Sequence, residues 1–196
     1  MQTLLLAAAL FAADASTADL ALEVALVAAD TLDRPQTATR MVNLEGDDYP
    51  IEVRLFETIR FPVNFSTYVP EDWETHVVST PGGMASQIQA DVQAGIDIFF
   101  PYDQSDVMGT WAANRDAVDG TVRVMEDGPD GMLPEWAEAG YVWYSGGMMG
   151  TSYVVEHDGT VFFLGDRMPV ESGDGMAPRV HLVLDEWRWL EDGSSL

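Results

Sequence analysis

The amino-acid sequence predicts an α+β fold: an antiparallel β-meander sheet with two helices packed on it, ordered strands, helix, strands, helix. Three observations predict it. Apolar and polar residues alternate with a period of two through much of residues 49–100 and again through 141–165, as half-buried strands require. Turn-forming pairs separate these runs: Pro81-Gly82-Gly83, Ala94-Gly95, Gly146-Gly147 and Asp158-Gly159. Two segments, after Pro101 and after Pro178, change to helical spacing.

Taken in order, Ile51, Val53 and Leu55 alternate with Glu52, Arg54 and Phe56, a strand with one wet face. Phe61, Val63 and Phe65 continue the alternation and stop at Pro70, and residues 73–80 form a third strand. Met84, Ser86, Ile88, Ala90 and Val92 then alternate with glutamines and Asp91, and Ile96 to Phe100 complete the meander. The first helix has Ser105 or Asp103 as its cap, Asp106 in its first turn, one side lined by Val107, Trp111 and Val118, and Gly120 as its stop. Residues 121–125 and 141–145 are strands, and Asp158-Gly159 closes a two-residue hairpin between 151–157 and 160–165. In that hairpin Val155 and Phe162 share one face, while Val154 and Phe163 share the other. Pro178 opens the last helix, whose stripe is Val180, Val183, Leu184, Trp187 and Leu190, with Gly193 as its stop.

Composition bounds the partners. The 196 residues carry 33 acidic and 9 basic side chains, every basic one an arginine, for a formal charge of −24. Such a chain repels phosphate polymers and anionic lipid, both of which require a basic face. Because the carboxylates are spread along the chain, the charge reads as adaptation of a soluble surface to concentrated salt rather than as a set of cation sites. There is no cysteine, so disulfides, thiolate metal centres and cysteine nucleophiles are excluded.

Residues 1–15 read as a signal peptide. Residues 3–13 are apolar but too short to span a bilayer, and Ala13-Asp14-Ala15 is a small-residue cleavage pattern. Export to the periplasm or exterior follows, unless Met41 is the start, in which case the protein is cytoplasmic. Residues 16–48, which contain Pro35 and the acidic turn Glu45-Gly46-Asp47-Asp48, read as an arm leading to a single domain over 49–192. No transmembrane segment is expected.

The segment F-S-T-Y-V-P-E-D-W (65–73), an aromatic strand running into proline and tryptophan, resembles the opening of PsbP-like domains. These are exported α/β/α sandwiches, and the order of elements over 51–190 is similar. The resemblance implies a fold and an exported location. It transfers no residue role, because that family's functions are diverse.

The functional motifs are sparse. His76, His157 and His181 lack the spacing of zinc ligands, and Ser145 lacks the glycine two residues before it that a nucleophile elbow requires. No phosphate-binding glycine fingerprint occurs. Glu126, Asp127 and Asp130, in a loop with two glycines, offer the hard oxygen ligands of a calcium site without EF-hand spacing. A solvated acidic turn explains the same residues, as it does the loop 171–174. Trp136, beside Pro134-Glu135, Trp189, off the helical stripe, and Met148-Met149, between glycines, are the candidates for an apolar binding surface. These observations predict a non-enzymatic binding or accessory module of the cell envelope, with an envelope protein as its partner. The alternatives are a calcium-stabilised extracellular domain and an enzyme with a carboxylate site.

Overall fold

A computed structural model describes residues 33–59, 61–126 and 132–196. The leader, most of the arm and the calcium-loop residues Asp127 and Asp130 lie outside them. Six strands come first: β1 (Thr37–Leu44), β2 (Asp47–Glu57), β3 (Phe65–Pro70), β4 (Glu74–Thr80), β5 (Gly83–Gln89) and β6 (Gly95–Pro101). Helix α1 (Val107–Asp116) follows, then β7 (Thr121–Val124), β8 (Ala139–Ser145), β9 (Met148–His157) and β10 (Thr160–Pro169). A single 3-10 turn (Val170–Ser172) leads into α2 (Gly173–Asp185), and β11 (Arg188–Trp189) ends the order.

The fold is α+β and antiparallel, but the strands form two sheets rather than one meander. A four-stranded sheet has the order β1-β2-β3-β11, and a seven-stranded sheet the order β4-β5-β6-β10-β9-β8-β7. The chain changes sheets at Pro70–Trp73, where the Trp73 amide turns back to the Pro70 carbonyl at 3.0 Å and the indole is buried. Within the large sheet the meanders β4–β6 and β7–β10 join where β6 pairs with β10.

The arm expected through Asp48 ends earlier: from Thr37 it is β1, paired along its length with β2 through a turn at Glu45-Gly46, both at positive φ. Its inward positions are Ala38, Arg40, Val42 and Leu44, and only Val42 is fully buried, so the period-two signal is weak. Phe61 and Val63 are buried in an irregular link rather than a strand. Asp106, not Ser105 or Asp103, caps α1 by accepting from the Gly109 amide at 3.1 Å. Asp103 instead holds the Ser105 amide and hydroxyl, which keep its carboxyl below the usual range. Helix α1 ends at Asp116, before Gly120, and α2 ends at Asp185, well before Gly193. Helix α2 begins five residues before Pro178, which sits inside it without an N–H for the Asp174 carbonyl.

Helix α2 is wedged between the sheets. Val180 and Val183 join the main core with Phe65, Ile98 and Phe162, while Leu182 faces the small-sheet cluster of Val42, Val53 and Tyr68. The hairpin at Asp158-Gly159 has φ of 49° and 74°, the left-handed pair of a type I′ turn. Val155 pairs with Phe162 in the main core, and Val154 pairs with Phe163 on the other face.

Charge fastens the small sheet to α2. The Glu186 carboxylate accepts from Arg34 at 2.8 Å and Arg40 at 2.5 Å, and both guanidiniums lie over the Tyr68 ring, at 4.4 and 4.6 Å. The Glu186 hydrogen bond holds the Arg40 pKa above its ordinary value. Glu186→Ala leaves two half-buried cations facing each other, so we expect a loss of about 1–3 kcal/mol, read by urea denaturation. An unchanged midpoint would show that the ring contacts alone hold the two arginines.

Candidate functional site

Successive residues of a strand point to opposite faces, and β10 uses this at Gly165-Asp166-Arg167. Arg167 points to the outer face of the large sheet and Asp166 to the inner face, toward α2.

On the outer face one register level reads Trp143, Gly150, Arg167, Gly95 and Gln89 across β8, β9, β10, β6 and β5. The next reads Tyr141, Ser152, Gly165, Asp97 and Gln87. Helix α1 covers one side of this face: Trp111 is buried on Tyr141 and Val154, and its Nε1 donates to Ser152 Oγ at 3.3 Å. Beside Ser152 and Arg167 the strand positions on this face are Gly165 and Gly150. The Trp143 ring lies against Gly150, where a Cβ would come within 2.8 Å of it, so only glycine fits. A Cβ on Gly165 would meet only the backbone of Thr151 and Ser152, so no side chain closes over that position.

The face carries one charge pair and one amide in contact. Arg167 donates to Asp97 Oδ2, and Gln87 Nε2 donates to Asp97 Oδ1 at 3.0 Å. Burial lowers the Arg167 pKa, partly opposed by Asp91, yet a guanidinium stays charged at any physiological pH. All three side chains are half-buried. Together they offer fixed donors and acceptors beside an aromatic surface, the usual composition of a ligand-contacting patch.

On the inner face Asp166 accepts from both the hydroxyl and, at 3.3 Å, the amide of Thr151. Burial pushes its carboxyl pKa up, opposed by the Thr151 bonds and by His181. Burial likewise raises the Tyr153 phenol on the neighbouring strand. Elsewhere an open cleft of about 480 Å³ runs between Ile51, Pro70 and Arg179, rimmed by Glu52, Glu71 and Asp72.

Of the residues expected to form a binding surface, Trp189, Trp136 and Met149 belong to the main core or pack against it, and Met148 does not. Trp189 is buried at 3% exposure, stacked on His157 at 4.0 Å, because β11 carries it into the main core as a strand residue. Trp136 is half-buried, edge-on to Tyr153 at 4.9 Å. Met149 packs against the main core, and its neighbour Met148 points to the other face of β9. Of the calcium-loop residues only Glu126 is described; it is exposed just past β7. Among the described residues no three His, Asp or Glu side chains converge as a metal site would need. Among them, too, no helix is long and apolar enough to cross a membrane.

Sequence reasoning passed over Arg167, Asp97 and Gln87. The available signal was Gly150 and Gly165 inside strands, where glycine marks a close approach. No known family model matches the chain, and a search of curated proteins finds no match.

Proposed function

We propose that this chain is an exported, non-enzymatic binding or accessory module of the cell envelope in a salt-adapted organism. Its ligand lies on the outer face of the large sheet. The observation that carries this reading is the half-buried Arg167–Asp97–Gln87 hydrogen-bond set, which shares the outer face of the large sheet with Trp143. A formal charge of −24 favours an uncharged ligand with hydroxyl or amide groups, or a partner surface of that chemistry. The likeness of residues 65–73 to PsbP-like domains supports the exported location and a sandwich-like arrangement, and adds nothing about the ligand.

The test is backbone chemical-shift mapping of the protein titrated with neutral polysaccharides and neutral N-acetylated oligosaccharides. Shifts are expected to concentrate at Gln87, Asp97, Trp143 and Arg167, and Arg167→Ala should weaken binding at least tenfold. Shifts confined to another face would overturn the site. A reproducible hydrolytic turnover abolished by Asp166→Asn would overturn the non-enzymatic reading and favour a carboxylate enzyme instead.

A further inference from the structure

The outer edge of β4 stands apart from the Arg167–Asp97–Gln87 set. It is one end of the large sheet, paired only with β5, and among the described residues no backbone group of another element bonds to it. An uncovered strand edge is a template for pairing, and proteins usually block it with charges, proline or a bulge. Here, among the described residues, such protection is confined to one end of the strand, where Arg54 donates to Thr75 Oγ1 at 3.3 Å beside Glu74. Residues 75–90, which make up most of β4 and β5, contain no Asp, Glu or Arg, in a chain where 21% of residues are charged. Val77 and Val78, at the centre of β4, are 49% and 39% exposed on opposite faces. Each ends a row that runs into the sheet: Val78 through Ala85 to Phe99, and Val77 through Ser86 to Ile98. The other end of the sheet, β7, is four residues long and carries Arg123.

We infer that β4 pairs antiparallel with β4 of a second copy of this chain, about a twofold axis, joining two seven-stranded sheets into one. The edge's own symmetry selects this occupant, because a strand paired antiparallel about a twofold axis offers its copy the same row of N–H and C=O groups. Two bodies of formal charge −24 repel over most of their surfaces, and this hairpin lets their backbones approach without opposing carboxylates. A twofold axis perpendicular to the sheet keeps like faces together, so Val77 meets Val77, His76 meets Val78 and Thr75 meets Ser79. Glu74, the one carboxylate of the strand, then falls opposite Thr80. The same symmetry makes the contact closed, so it yields a dimer and not a fibre.

The remaining repulsion is long-range and screened by salt, with a Debye length of about 30 Å at 0.01 M falling to about 3 Å at 1 M. Sedimentation equilibrium of the full chain is therefore expected to show monomer in 0.02 M sodium chloride and dimer in 2 M. Val77→Lys, which sets like charges against each other at the axis, should raise the dissociation constant at least tenfold. Val124→Lys, at an equally exposed site on β7, should leave it unchanged. Because the chain has no cysteine, Val77→Cys introduces a single thiol, which oxidant should cross-link to its own copy in 2 M salt. A monomer at both salt concentrations overturns the inference, as does a dimer indifferent to Val77→Lys. So does failure of the thiol to cross-link while the protein sediments as a dimer.

Discussion

Trp187→Ala is expected to lower the melting temperature by roughly 6–20 °C. The indole has no exposed surface and stacks on Phe65 at 3.6 Å and 12°, with Trp189 edge-on at 5.3 Å. It lies just past the end of α2, where the helix, β3 and β11 meet in the main core. Removing an indole from such a site typically costs about 3–5 kcal/mol, through lost transfer energy and an unfilled cavity. For a chain of this length each kcal/mol shifts the midpoint by about 2–4 °C. Trp187→Phe should cost much less than the alanine variant. Among the described residues the buried indole Nε1 has no hydrogen-bond partner, and phenylalanine removes that donor while keeping most of the ring. Thermal denaturation followed by tryptophan fluorescence and far-ultraviolet dichroism tests both variants. An alanine variant that melts with the parent would mean that this end of α2 contributes nothing to the cooperative unit.

Asp166→Asn is expected to change the pH dependence of stability with a predictable sign. Burial raises the carboxyl pKa in the folded protein above the value of about 3.9 it has when unfolded. The native state therefore holds this proton to a higher pH than the unfolded chain does. The contribution is full below the unfolded value and is lost as pH rises through the folded one. Asparagine can still accept from Thr151 and does not ionise. Relative to the parent, the asparagine variant should gain stability between acidic and neutral pH, while at pH 4 the two should be similar. Asp166→Ala leaves the Thr151 hydroxyl without its acceptor and should cost about 1–3 kcal/mol throughout. Comparing variant with parent cancels the repulsion among the other carboxylates. Urea midpoints from pH 4 to 8 measure the difference, and a difference that stays constant across that range would show that folding does not raise the Asp166 pKa.

Local chemistry made several elements legible. Asp158-Gly159 specifies a type I′ turn, and a two-residue turn leaves one register, so the facing pairs Val155–Phe162 and Val154–Phe163 follow from the sequence. Helix α1 was equally readable in its buried residues, Val107 and Trp111, although its cap moved to Asp106. Strand β1 was hidden because one of its inward positions is Arg40, whose charge is met by Glu186 from 146 residues away. Trp189 read as exposed because a helical stripe was extended past the point where α2 stops.

What the sequence determined by itself was the antiparallel α+β character, the strand-and-turn rhythm of the second half and the charge of the surface. These depend on near neighbours and on composition. Tertiary structure decided the split into two sheets and the joining of β6 to β10. It also decided the meeting of Gln87, Asp97 and Arg167 on the face that carries Trp143. Those contacts join residues far apart in the chain. Which strand lies beside which depends on how all the apolar faces can be buried at once, and no local pattern encodes that.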